Sequence, residues 1–467
     1  MKTKRAQPPS APAPKAERST TGCPPWLPRF LLGGLLGLTV AKFGNPALLD
    51  HLTTPPTNLF EWLYFTWPLR WAYFLVVVVT LACLPALRWP PAVPRWLATL
   101  PAVWLVWQGV ASIGTVDAHL TRITLPYLAS AVVCYYLGLA ALRDGWRSRA
   151  FWGPYLAGFL FMLLVGFQQQ FGGLEATREQ ILSQPGWEKL PPEFLKRINK
   201  LRVFATLLYP NALAGVLLLL LPAMTVATWR MLRFLTRPTR LLLSGAVAAG
   251  GLACLYWSRS KAGWLVLLAM LGVLFWRLPV GRPRWKAIFI GILLVAGLGA
   301  FFLRFSGYFA QGATSVSARL DYWRAAVQTV ADHPLAGSGP GTFQREYERR
   351  KPPEAEMARL AHNDYLQQAS DTGLPGALLY ATLVWGTLAW LARRCWREPF
   401  RFAVWLGLLG WALQSCVEFG LYLAPIGWAA FLLLGALSAD PPAAAGKPKS
   451  GEPKERKKSE DRSRNPS

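Results

Sequence analysis

The chain has 467 residues, is 53% hydrophobic and carries a net charge of +26, with 50 Lys and Arg against 24 Asp and Glu. Length alone would suggest two or three soluble domains, but the apolar residues come in blocks of about 17 to 22, the length a helix needs to cross a bilayer. A membrane β-barrel is excluded, because its strands would alternate polar and apolar residues over about ten positions.

The first 25 residues are rich in Pro, Lys and Ala and cannot build a core, so they read as a disordered tail. Twelve apolar blocks follow, at 28–48, 68–88, 96–113, 123–141, 151–168, 204–227, 241–257, 262–277, 286–304, 373–392, 401–417 and 420–438. Residues 26–304 thus hold spans one to nine, and 373–438 hold spans ten to twelve. The Pro/Lys/Ser-rich stretch 439–467 is a second disordered tail. The expected fold is all-α, a polytopic transmembrane helix bundle of about twelve spans. A large, partly helical loop, 305–372, separates spans nine and ten.

With the N-terminus placed in the cytoplasm, the inside segments hold 31 of the 50 basic residues. The short outside loops hold few: none in 44–67, Arg122 alone in 114–122 and none in 418–424. This is the positive-inside pattern, and it predicts both termini in the cytoplasm. The base is therefore chiefly an orientation signal with some attraction to anionic lipid, and nucleic acid is not an expected partner. Two long outside loops escape that rule, 169–203 and 305–372, with six and seven Lys or Arg. The six cysteines are scattered without a CxxC, which argues against a disulfide framework or a zinc site. No cleavable signal peptide is evident.

In the larger loop, Val316, Leu320, Trp323, Val327 and Val330 fall at helical spacing, with Thr314, Ser315 or Ser317 as cap and Pro334 as stop. The stretch GSGPG, 337–341, is either a plain turn or a nest of backbone N–H groups for an anion. A second helix is predicted from about Pro352, with Met357, Leu360, Ala361 and Tyr365 on its apolar face and Gly373 as its end. His362 would lie on that interfacial helix, which then turns through Gly-Leu-Pro-Gly into the tenth span.

Five positions are candidates for chemistry. All four histidines fall on the outer side, and His362, followed by Asn363 and Asp364, is placed to accept a proton near neutral pH. Its bland reading is a polar residue on the wet side of the helix. Arg259 sits in a very short connection between spans seven and eight, where intramembrane charge tends to be paired and functional. Arg202 ends the first long outer loop, ahead of Pro210 and Asn211, and asparagine in a bundle needs a partner. For both arginines, anchoring at the headgroups is the competing reading. Arg122 and Arg319 lie on the same side with weaker individual signals, and Glu418 is a possible partner for one arginine. Arginines at the outer surface suit a diphosphate, because a guanidinium binds its oxygens in a bidentate way. A histidine beside them suits an acceptor hydroxyl. The combination predicts glycosyl transfer from a lipid diphosphate, with no metal and no cofactor.

At these residues the sequence resembles the bacterial O-antigen ligase and polymerase family. The match is His362, Asn363, nine residues, then Gly373-x-x-Gly376, supported by 319–343, Ser258-Arg259-Ser260 and FATLLYPNALAG at 204–215. The resemblance covers about 170–440. It implies a glycan on undecaprenyl diphosphate as donor, lipid A–core as acceptor, an inner-membrane location and a site facing the periplasm. It also implies His362 as the catalytic base, with Arg259 and Arg202 holding the diphosphate. Ala377 and Leu378 follow the last glycine where the family often has Thr, so ligase and polymerase both stay open, as does a glycan-to-protein transferase. A transporter or flippase fits less well, for no repeat is visible and the charges sit at the outer surface.

Overall fold

A computed structural model of the chain describes residues 24–90, 93–143, 145–183, 187–189, 195, 199–279, 281–307 and 314–439. Most of the two tails, 1–23 and 440–467, lies outside the described residues. The described chain is helical, and its only β pairing is two isolated bridges, Gly44 with Leu207 and Pro46 with Leu423.

The helices, in order, are α1 (Trp26–Lys42), α2 (Leu59–Tyr64), α3 (Leu69–Cys83), α4 (Arg95–Ala111), α5 (Ala118–Ala141), α6 (Arg149–Gln168) and α7 (Leu174–Leu182). Then come α8 (Pro210–Met231), α9 (Arg237–Ser258), α10 (Lys261–Arg277) and α11 (Pro283–Arg304). The large loop supplies α12 (Thr314–Asp332) and α13 (Phe343–Arg350). The chain closes with α14 (Asp364–Ala381), α15 (Thr387–Cys395), α16 (Pro399–Gln414) and α17 (Ala424–Ala439). Among the described residues eight helical stretches are long and apolar enough to cross a bilayer. The apolar blocks at 28–48, 262–277, 401–417 and 420–438 form the shorter helices α1, α10, α16 and α17, of 16 or 17 residues.

The surface fits a multi-pass membrane protein. On α11 none of the apolar window is buried, and Ile292, Val295, Phe302 and Leu303 face outward. Soluble proteins rarely expose apolar patches of such extent. The inner helices pack closely through small residues, α1 on α6 and α5 on α17. A Cβ on Gly37 would stand 2.5 Å from the Pro154 carbonyl oxygen, and one on Gly435 2.0 Å from that of Tyr135. Small residues let helix backbones approach where lipid offers no hydrophobic drive.

Pro210 is the first residue of α8, where its missing N–H costs nothing. The helix expected from about Pro352 needs correction. No helix runs from Pro352 to His362. A short helix, α13, precedes that stretch, residues 351–363 are irregular, and α14 starts at Asp364. Asn363 caps α14, its Oδ1 accepting the N–H groups of Tyr365 and Leu366 at 3.0 and 3.1 Å. Beside the expected apolar positions α14 carries a polar face at the same period. Asp364, Gln367, Gln368, Asp371 and Thr372 are all buried. They recur at helical spacing and turn inward because each finds a partner, which is the condition for burying polar groups.

Those partners tie the large loop to the bundle. Trp104 and Gln108 of α4 donate to Gln368 Oε1 at 3.0 and 2.8 Å, and Gln368 donates to the Tyr422 hydroxyl at 3.0 Å. Asp371 accepts from the backbone N–H of Gly341 at 2.9 Å and of Phe343 at 3.2 Å. The N–H groups of GSGPG are thus already taken, Gly341 by the Asp371 side chain and Gly337, Ser338 and Gly339 by the carbonyls of His333, Ser370 and Asp371. Gly373, with φ +71°, is a kink inside α14 and not its end. There the Leu374 N–H donates to Pro334 O at 2.8 Å, and a Cβ on Gly373 would stand 2.2 Å from the Leu335 carbonyl oxygen. The loop also has its own small core of Tyr322, Ala325, Ala326, Phe343, Tyr347, Ala358 and Ala361.

Candidate active site

Glu418 organises the site. It follows α16 in a loop stitched to the start of α14, where the Asp364 N–H donates to Ser415 O and the Leu421 N–H to Asp364 Oδ2, both at 2.8 Å. That stitching brings His362 against Glu418, with Nδ1 3.1 Å from Oε2. The other carboxylate oxygen accepts from Asn211 Nδ2 at 2.6 Å and forms an ion pair with the Arg319 guanidinium. Asn211 in turn accepts from Arg202 Nη2 at 3.0 Å, and Arg202 Nε donates to Ser258 O at 2.9 Å. Ser258 is the neighbour of Arg259. Residues from five separate stretches of chain therefore form one network.

Glu418 is buried, which by itself would raise its pKa. The hydrogen bond and charge of His362, with Arg319, outweigh that and hold the carboxyl below the usual glutamate range. An ionised carboxylate has no proton to give, so His362 Nδ1 must be the donor in their hydrogen bond. In the neutral imidazole Nε2 then carries the free lone pair. The imidazole is held between the Tyr322 ring, stacked at 5.7 Å, and the edge of Phe419 at 4.7 Å, and its side chain keeps 29% exposure. A fixed tautomer, a fixed ring and an open Nε2 are what a general base needs.

The three arginines of this network differ in what they have left to offer. Arg319 is committed to Glu418, Val417 O at 3.1 Å and Ser315 O at 3.2 Å, so it clamps the Glu418 loop to α12. Arg202 is half-buried, and desolvation, together with repulsion from Arg259 and Arg319, lowers its pKa to about 10 in spite of Glu418. Arg259 is exposed, with one long hydrogen bond of 3.5 Å to Lys200 O. Arg122 is exposed on α5, and no hydrogen bond or ion pair ties it to this network. Asn211, Tyr322 and Phe419 were not singled out by role in the sequence. For Asn211 the signal was there, since an asparagine just inside a span demanded a partner.

Backbone strain gathers here too. The described non-glycine residues with positive φ are Leu201, Ala205, Arg259 and His362, at +43°, +53°, +49° and +50°. Two are the leading candidates themselves, and the other two flank Arg202. A side chain in this region costs of order 1–3 kcal/mol, and such residues cluster at active sites and ligand clamps. Among the described residues no group of three or more His, Cys, Asp or Glu gathers as a metal site.

No curated protein matches the chain. Residues 246–381, from within α9 through α14, match the family model described as O-antigen ligase (Wzy_C). That stretch is under a third of the chain, and it contains Arg259, Arg319 and His362 but not Arg202, Asn211 or Glu418. Over that stretch, which carries the strained Arg259 and His362, this helical chain with its membrane-length apolar helices is similar to the O-antigen ligases.

Proposed function

We propose that this protein transfers a glycan from an undecaprenyl-diphosphate carrier to an acceptor hydroxyl at the periplasmic face of the bacterial inner membrane. In this reading the chain makes about twelve spans with both termini in the cytoplasm. O-antigen ligation to lipid A–core is the reading we favour. The observation that carries it is the charge balance of the site. Arg202, Arg259 and Arg319, with Lys200 and Lys261 close enough to act on them or on one another through their charge, surround a network with one ionised carboxylate, Glu418. Charge of one sign in excess in a partly buried site favours an anionic ligand.

The step we infer uses these residues as follows. His362 Nε2 takes the proton of the acceptor hydroxyl as its oxygen bonds to the anomeric carbon. The bond from that carbon to the diphosphate oxygen breaks, and the carrier diphosphate leaves with the bonding pair. Glu418 stabilises the imidazolium that forms, as the carboxylate of a catalytic triad does. Arg259 and Arg202 neutralise the charge that grows on the leaving diphosphate, an interaction stronger in the transition state than before it. Arg319 supports this chiefly by holding Glu418. Arg122 would enter only through a donor long enough to reach α5.

A glycolipid profile of a deletion strain, complemented with wild type or Arg259→Ala, tests the proposal. Loss of long glycan from lipid A with accumulation of carrier-linked polymer, restored by wild type and not by Arg259→Ala, is the expected result. Core bearing a single repeat would make the protein a polymerase that uses a lipid-linked glycan as acceptor. An unchanged lipid profile with loss of a glycoprotein would make it a protein O-oligosaccharyltransferase. Full complementation by Arg259→Ala at normal expression would overturn the assignment.

A further inference from the structure

The opposite end of the same helices carries a second basic cluster. α6, α8 and α16 each run from one end of the bundle to the other. Their far ends carry Asn211 and Glu418 of the active site and Gln169, whose side chain holds the backbone of Phe204 and Ala205 beside Arg202. Their near ends enclose a cleft of about 210 Å³, lined among others by Arg147, Ser148, Arg149 and Trp152, by Arg230 and Arg233, and by Phe400. A helix of 20 residues such as α6 spans about 30 Å, so the two clusters stand a bilayer thickness apart.

We propose that this cleft binds the phosphate headgroup of an anionic phospholipid in the leaflet opposite the active site. Four arginines from two connections meet there. The carboxylate in reach is Glu398, which pairs with Arg230 at 3.0 Å and also caps α16 by accepting the Arg401 N–H at 2.7 Å. The floor is apolar and aromatic: Trp152 and Phe400 are buried, their rings 5.1 Å apart, and Arg230 lies 5.2 Å from the Phe400 ring centre. The buried Trp152 indole N–H has no acceptor among the described residues. The α6 N-terminus, whose backbone dipole favours an anion, opens beside the cleft, with Ser148 as its cap.

Orientation in the membrane accounts for basic residues anywhere in these connections, but not for four of them meeting over one aromatic floor. Basic pockets between helices at the membrane surface suit phospholipid headgroups, and an aromatic floor suits the glycerol and upper acyl region beneath. A bound headgroup would bridge the ends of α6 and α8 and so brace two of the helices that position the active-site residues.

Native mass spectrometry of the purified full chain tests this, with phosphatidylglycerol, phosphatidylcholine and inorganic phosphate as probes. The variant is Arg149→Gln with Arg233→Gln, both exposed. The control, Arg282→Gln with Arg284→Gln, removes equal charge from the exposed α10–α11 connection. Expected is one phosphatidylglycerol bound to wild type and control, not displaced by phosphatidylcholine or phosphate, and roughly thirty-fold weaker binding in the cleft variant. Equal binding by the cleft variant and wild type would overturn the proposal. Displacement by equimolar inorganic phosphate would overturn the lipid as source in favour of a soluble phosphate compound. If the double variant does not fold, each single substitution should still weaken binding roughly fivefold, and no loss in either single variant would likewise overturn the proposal.

Discussion

The two ends of the bundle are both rich in arginine, yet they are built differently. At the His362 end the cations converge on a buried carboxylate, and the backbone is strained at both Arg259 and His362. At the Arg149 end the cations stand at a rim over aromatic rings, and no described residue lining the cleft has positive φ. A count of basic residues cannot separate these two arrangements. What separates them is the arrangement around the cations: at one end a buried carboxylate shared by His362, Arg319 and Asn211, at the other a rim of arginines over aromatic rings. The first arrangement suits chemistry, which needs preorganised charge, and the second suits binding.

The sharpest way to break this contrast is at the base. His362→Ala should lower the rate of glycan transfer by roughly 10²–10⁴, the range for loss of a general base, while leaving membrane insertion intact. A transfer assay with purified lipid-linked donor reads this, and wild-type turnover would end the case for His362.

Glu418→Gln comes next. The amide can keep the Arg319 and Asn211 contacts in altered form but cannot hold the imidazolium. We expect a fall in kcat with a smaller change in KM, because the lost interaction belongs to the transition state. Wild-type Glu418 also sets an acid limit. Its folded pKa lies below the ordinary glutamate value, so its stabilisation is complete above about pH 4.3 and is lost as pH falls through the lowered folded value. Thermal unfolding below pH 4 should therefore destabilise wild type more than Glu418→Gln, and parallel pH profiles would count against the network.

Gly373→Ala should act on stability and leave the arginines untouched. Its Cβ meets the Leu335 carbonyl at a φ that disfavours any side chain, so the cost should exceed about 1 kcal/mol. A lowered melting temperature with retained binding of a diphosphate ligand is the expected pair of results. The smallest effect should come from Arg122→Ala, which lies outside the hydrogen-bonded network and should change transfer by no more than about twofold. A large loss there would show that the site extends along α5.

Much of this site was visible in the sequence at the level of position. The pair His362-Asn363, nine residues ahead of Gly373, stood out as a position, although the sequence placed it inside a helix rather than at a helix start, and the short 258–261 connection marked a charge at a span end. The capping role of Asn363 was missed, although its side chain serves the very next N–H groups, a local matter. Helix 352–363 was misread because Pro352, Glu354 and Glu356 carry ordinary start signals, and those signals do not report tertiary competition. The polar face of α14 was legible as a period but not as an interior. It is buried only because Trp104, Gln108, Gly341 and Tyr422 stand ready to pair with it, and they come from three distant parts of the chain.

By itself the sequence determined the apolar helical class, the order of the helices and the placing of basic residues in their connections. Each of these is a property of residues within one or two turns of one another. The tertiary structure decided which acid meets His362, since Glu418 lies 56 residues away, and that Asn211 joins Arg202 to it from across the bundle. It also decided that the N–H groups of the glycine-rich turn are taken, that of Gly341 by the Asp371 side chain, and that the arginines of two separate connections share one cleft. The reason is physical: the period of a helix is written locally, but which faces meet depends on how whole helices pack, and the charges at their ends only follow.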